Sequence, residues 1–418
     1  MSAWDESIDM GALYVPRPGT QPLPDGRAPV SIAERIRNQL LRTQGPLKIF
    51  LTGQVGAGKS SELSRLYADA EIAKKFERVV VRLTDRVDLL NADIRQVLVA
   101  IAATVAEHVR KHDYHKLSTW RGGEASKDLR RWVELLGTLF ELPPPNPGDD
   151  PVIEFGAAFF KFSAELRSQH TLRQKIREDQ GFGPLELLKV TNLMLRLLES
   201  AVNRRVLLVI DDGDKVAMPD PARNVFIEHR VQLMELRCLA VLTFPYTLNF
   251  DPDLPSTNDL FVLENIKVID RATPNDVRPD AIAFFRELLG RRVAASLITD
   301  EAVATATRYG AGIPREFLRI VAGGFEFAHN YGYAQVDHDA IEYVVQELRV
   351  TASRRTQGDK TRRMLAQVHR TKGLPDDFER SLLETLLVVE YSNNTPWYDV
   401  NPILVEYVES FGVIEDGE

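Results

Sequence analysis

Short apolar runs alternate with stretches of helical periodicity along much of the chain. One apolar run leads from Leu47 to Gly53, and others fall at 78–83, 205–210, 239–244 and 260–268. Between them, apolar positions recur every three or four residues at 31–42, 88–111 and 185–203, which predicts helices with a buried stripe. Near-continuous apolar strands separated by helices predict a parallel sheet covered on both faces. Residues 113–183 are less regular, broken by Pro143, Pro144, Pro145 and Pro147, and read as a mostly helical insertion in that core.

Beyond Asp270 the strand pattern stops. Helices are expected at 279–292, 299–309, 314–328 and 336–349, then at 361–369 and 375–387. Residues 388–400 suit two short strands around Asn393-Asn394, because Asn tolerates the positive φ of a tight turn. Two helices and a hairpin suggest a winged-helix-like module. Residues 1–29, with Pro16, Pro18, Pro22, Pro24 and Pro29, read as an extended arm. The expected order is an arm and short helix over 1–45, then an α/β core over 46–272 carrying the insertion at 113–183. A helical lid over 273–332 and a winged-helix-like domain over 333–418 follow.

At 418 residues, with 44% hydrophobic and 27% charged positions, the composition fits a soluble protein of two or three domains. The net charge of −8 argues against wholesale coating of nucleic acid. Cys238 is the single cysteine, so no intrachain disulfide forms, and its apolar run suits a buried small hydrophobe. No stretch approaches a membrane span and Met1–Asp5 lacks a secretory apolar core, so a cytoplasmic location is expected.

Two motifs change this picture. Gly53-Gln54-Val55-Gly56-Ala57-Gly58-Lys59-Ser60 fits G-x-x-x-x-G-K-[ST], the Walker A loop, and Ser61 follows it. Its glycines let successive N–H groups point at a β-phosphate, Lys59 adds charge for the β- and γ-phosphates, and the Ser60 hydroxyl suits Mg²⁺. The following helix aims its positive end at the same anion. The run Val206–Ile210 ends in Asp211-Asp212, the Walker B pattern. Asp211 would help to hold Mg²⁺, and Asp212 would polarise the attacking water as a general base. A nucleoside triphosphate is the implied ligand.

Weaker signals surround these. Thr243 ends the next strand, where a γ-phosphate sensor would sit, although Thr also suits any buried strand. Gly312-Ile313-Pro314-Arg315 opens a helix of the lid, and Arg315 either clamps the nucleotide or is a solvated helix-terminal arginine. His108, His112 and His115 share a helix face, but Arg110, Lys111 and Lys116 crowd it, which favours a solvated face over a metal site. Between Arg349 and Lys372 stand eight basic residues and one acid, a net +7. That segment suits phosphate backbone, a solvated linker or an acidic surface on another subunit.

The set GQVGAGKSS at 53–61, VLLVIDDGDK at 206–215, VLTFPYTL at 241–248 and GIPRE at 312–316 resembles the AAA+/STAND branch of P-loop ATPases, including origin-recognition ATPases. The resemblance implies a P-loop core with a lid closing over ATP and Mg²⁺, Pro314 near the base and Arg315 near the phosphates. AAA+ rings usually carry an arginine finger between the sensor strand and the last core strand, whereas residues 246–261 here contain no Arg or Lys. Arg230 and Arg271 are other sources of a finger. The gap tilts the expectation toward a slowly hydrolysing switch that controls self-assembly or an effector partner. A prokaryotic defence or mobile-element setting follows by analogy alone. A DNA-binding loader and a non-hydrolysing scaffold are the alternatives.

Overall fold

The computed structural model describes residues 4, 13–15, 17, 30–114, 123–140, 151–255, 259–393 and 395–415. Most of the proline-rich arm, His115, the 143–148 proline break and Asn394 lie outside the described residues. The chain divides into two units, one of residues 33–52 and 66–261, the other of residues 53–65 and 262–418 with the arm.

In chain order the elements of the first part are α1 (Ile32–Arg42), β1 (Leu47–Thr52), α2 (Lys59–Ala68), α3 (Ala70–Lys75), β2 (Phe76–Arg82), α4 (Ile94–Lys111), α5 (Gly123–Phe140), α6 (Pro151–Ser168), α7 (His170–Glu178), α8 (Pro184–Val202), β3 (Arg205–Asp211), β4 (Leu239–Thr243) and β5 (Leu260–Val262). The five strands form one sheet in the order β2-β3-β4-β1-β5, with β2/β3, β3/β4 and β4/β1 parallel. β3 and β4 are buried along nearly their whole length, which explains why both read as unbroken apolar runs. Each fully buried Leu, Val or Ile there contributes about 2 kcal/mol, so a charge at Leu208 would break the sheet. This is an α/β core built on a parallel sheet, as the alternation of apolar runs and helices predicts.

The insertion is helical as expected. α6 packs along α4, and Phe155, Phe159, Phe162 and Phe182 bury their rings in the same core. α4 starts later than its periodicity suggests, at Ile94 rather than residue 88. Asp93 caps it by accepting from Gln96 N, while Asp88 holds a local turn through Leu90 N and Asn91 Nδ2. β5 ends at Val262, not residue 268, because Ile266 N donates to Gly312 O (2.9 Å) instead of to a strand.

The second unit holds α9 (Pro279–Gly290), α10 (Asp300–Tyr309), α11 (Pro314–Tyr331), α12 (His338–Ser353), α13 (Asp359–Thr371), the antiparallel hairpin β6 (Val388–Asn393) and β7 (Thr395–Val400), and α14 (Val405–Glu415). α9 to α12 share one apolar core with Val389, Tyr391 and Trp397 of the hairpin. The helix expected at 375–387 is largely absent. Phe378 N turns back to Pro375 O, only Ser381–Glu384 is helical, and Leu386 takes a left-handed φ of 58°. α14 was not anticipated.

Candidate phosphate-binding site

In the unit that contains it, the glycine loop is curled as its sequence requires. Gly53, Gly56 and Gly58 have φ of 152°, 84° and 104°. A Cβ at Gly56 would lie 2.9 Å from Arg315 Cβ and 2.8 Å from Ile313 Cγ2, so only glycine allows residues 313–315 this close. α2 begins at Lys59, whose buried Nζ donates to Gly53 O (2.8 Å) and Gln54 O (3.2 Å). Lys59 thus folds back over its own loop. Val55 is exposed, Ala57 is buried, and Ser60 and Ser61 are partly exposed. Curled N–H groups, a lysine and a helix N-terminus fit a phosphate group.

Gln54 is buried, and its side chain reaches the C-terminal hairpin. Its Oε1 accepts from Asn265 Nδ2 (2.7 Å) and Glu390 N (2.9 Å), and its Nε2 donates to Val388 O (3.2 Å) and Leu383 O (3.4 Å). Every donor and acceptor position of the amide is used. The same hairpin is not fully satisfied: Tyr391 Oη and Trp397 Nε1 are buried with no hydrogen-bond partner among the described residues, their rings stacked 4.6 Å apart. Burial and the Asp399 charge push the Tyr391 phenol far above its ordinary range. Each such orphan costs about 1–3 kcal/mol that water would return on opening.

Two residues of the arm also meet the loop. Arg17 donates to Ala57 O and Glu264 O and stands 3.6 Å from Glu62. Tyr14 Oη donates to Glu62 Oε1 (3.1 Å) and accepts from Arg65 Nη1 (3.0 Å). Burial and the Glu62 charge raise the Tyr14 pKa to about 12. Nothing in the local sequence of the arm signals these contacts.

The segment 311–315 meets the same loop. Ala311 and Gly312 take left-handed φ of 52° and 76°, and a Cβ at Gly312 would stand 2.0 Å from Ile266 O. Pro314 then starts α11, and Arg315 N donates to Gly56 O at 3.4 Å. Arg315 is exposed, and no hydrogen bond or ion pair holds its guanidinium among the described residues.

In the sheet unit, β3 delivers Asp211 and Asp212 to its C-terminal end, both buried. Asp212 takes φ 67°, its N–H bonding Asp211 Oδ1 (2.8 Å). Lys215 Nζ stands 2.5 Å from Asp212 Oδ1, Thr84 Oγ1 donates to Oδ2 (2.5 Å), and Arg82 Nε lies 3.8 Å away. Burial raises the Asp212 pKa, but these hydrogen bonds and charges outweigh it and leave the carboxyl below its ordinary value. Lys215 stands three residues on, a spacing that could have signalled the pair, whereas Thr84 and Arg82 lie far away in sequence and leave no local signal. Thr243, fully buried, accepts from Gly213 N (2.9 Å) and so ties β4 to the turn after β3.

Other candidates resolve simply. His108 Nε2 bonds buried Glu77 (2.7 Å), and His112 stacks on Tyr114. Arg230 lies over the Phe50 ring, and Arg271 donates to Thr371 O (3.4 Å). Within the basic segment, Arg349 pairs with Glu406, Lys360 with Glu379 and Lys372 with Asp399, while Arg354, Arg355, Arg363 and Arg370 are exposed. No described helix is long and apolar enough to cross a membrane.

No family model matches the chain, and no curated protein matches it. Among solved structures it is similar to Cdc6p from Pyrobaculum aerophilum, with 12% identity, a TM-score of 0.39 and coverage of 98% of this chain and 99% of that one. It is also similar to the Aeropyrum pernix Orc1 protein in complex with DNA, with 13% identity, a TM-score of 0.40 and 98% of each chain covered.

Proposed function

We propose that the chain is an ATP-binding, slowly hydrolysing switch of AAA+/STAND type whose nucleotide state controls assembly or engagement of a partner. The observation that carries this reading is Gln54: a residue of the phosphate loop whose amide bonds Glu390 N and Val388 O of the C-terminal hairpin, together with Leu383 O before it and the Asn265 side chain. A change in the loop is then felt at β6, and the unpartnered Tyr391 and Trp397 polar atoms favour release. When bound, ATP supplies the scissile γ-phosphate and Mg²⁺ neutralises its charge. Lys59 would leave the Gly53 and Gln54 carbonyls for the phosphates, and the N–H groups of the loop through Ser61 would hold the β-phosphate. Ser60 and Asp211 would hold Mg²⁺. Arg315 would close on the γ-phosphate, with Pro314 fixing the start of its helix, and Thr243 would report the state of the Asp212 turn.

The hold on Asp212 favours a second reading, a scaffold that keeps ATP without turnover, because a carboxylate below its ordinary pKa is a weak base. The exposed Arg354, Arg355, Arg363 and Arg370 support a DNA-loading reading, which salt-dependent DNA binding would reveal. The test of the switch is mass in solution with ADP and with a non-hydrolysable ATP analogue, with and without DNA. A change between the two nucleotides supports it, and one mass throughout overturns it.

A further inference from the structure

α12 carries two stripes. Ala340, Ile341, Val344 and Val345 are buried against the helical bundle. Tyr343, Glu347, Val350 and Arg354 occupy a different side and are all exposed, Tyr343 at 40% and Val350 at 55%. Their spacing of four, three and four residues is that of a helix-pairing seam. At its N-terminal end the seam is aromatic and acidic. The Tyr331 ring, itself exposed, lies 6.5 Å from Tyr343, Phe327 lies 4.7 Å from it, and the Glu347 charge, one helical turn on, raises the Tyr343 pKa. At its C-terminal end stands Arg354, whose guanidinium has no ion pair or hydrogen bond among the described residues.

Such a stripe is complementary to itself. Two copies of α12 laid antiparallel, with a two-fold axis between Leu348 and Arg349, set Tyr343 of each opposite Arg354 of the other. Glu347 then faces Val350 and flanks the incoming arginine. Aromatic rings beside a carboxylate attract a guanidinium, and an isologous pair makes each contact twice. Glu347 and the neighbouring exposed Asp339 repel a phosphate backbone, which disfavours DNA on this face. We infer that the Tyr343–Glu347–Val350–Arg354 face of α12 is the surface on which a second copy of this chain docks. The contact requires no nucleotide, so it stands or falls apart from the switch.

The experiment is the mass of the full chain without nucleotide, followed over a concentration series in low and high salt. A dimer that weakens with salt is expected. Because the cation–aromatic contact is lost twice, Arg354→Gln should raise the dimer dissociation constant about thirtyfold. Val350→Glu should abolish the dimer, because it sets a carboxylate opposite Glu347 of the other copy. Should Val350→Glu fail to fold, the Arg354→Gln series decides alone. A monomer at every concentration overturns the inference. So does a dimer indifferent to these changes, or loss of DNA binding in Arg354→Gln with no change in mass.

Discussion

Gln54 Oε1 accepts a hydrogen bond from Glu390 N at 2.9 Å, joining the phosphate loop to a hairpin strand 336 positions away. Removing that amide leaves Glu390 N without its acceptor, while Asn265 Nδ2 keeps Glu390 O, at a cost of about 1–3 kcal/mol. Gln54→Ala should therefore speed amide exchange at Val388–Tyr391 while leaving β3 unchanged. Equal exchange at the hairpin in both proteins would mean that Gln54 does not secure it.

Gly312→Ala forces a Cβ to within 2.0 Å of Ile266 O at a φ of 76°, so the segment around Gly312 must shift. The cost should reach at least about 2 kcal/mol, read as a lower melting temperature. Gly290→Ala, with open space around it, is the control and should be neutral or slightly stabilising.

Asp212 titrates below its ordinary 3.8 because Lys215 and Thr84 outweigh its burial. A depressed carboxyl stabilises the fold fully above its unfolded pKa and loses that contribution as pH falls through the lower folded value. Stability from this clamp should then be constant above about 3.8 and decline only in stronger acid. Single-turnover hydrolysis should likewise show no acid limb near neutrality from Asp212. Hydrolysis unchanged in Asp212→Asn would remove it as the base.

Arg315 is exposed and unpaired among the described residues, so Arg315→Ala should alter stability by no more than about 0.5 kcal/mol. Loss of its charge-assisted contact should weaken ATP binding about tenfold and leave ADP binding nearly unchanged. Equal affinities for ATP in the two proteins would place Arg315 outside the site.

Where periodicity or a motif is local, the sequence was readable. β1, β3, β4 and α8 fall within a residue or so of expectation, because each is an apolar run or stripe bounded by its own turn signals. Boundaries failed where a side chain or a distant backbone decides them: Asp93 capping α4, Ile266 bonding Gly312 rather than β5, and Leu386 turning left-handed before the hairpin. The glycine loop and the paired acids were each plain as motifs. The Gln54 contacts and the Arg17 contact with Ala57 were not, since partners far apart in sequence leave no periodic trace.

The most direct test is ATP binding by calorimetry with Mg²⁺ for the wild-type chain and for Lys59→Ala. Lys59 Nζ donates to two carbonyls of its own loop, Gly53 O and Gln54 O, so the variant should fold with its hairpin in place. Saturable, Mg²⁺-dependent binding by the wild type, weakened at least about a hundredfold in the variant, is the expected result. No binding by the wild-type chain, or equal binding by both, would contradict a phosphate site at this loop.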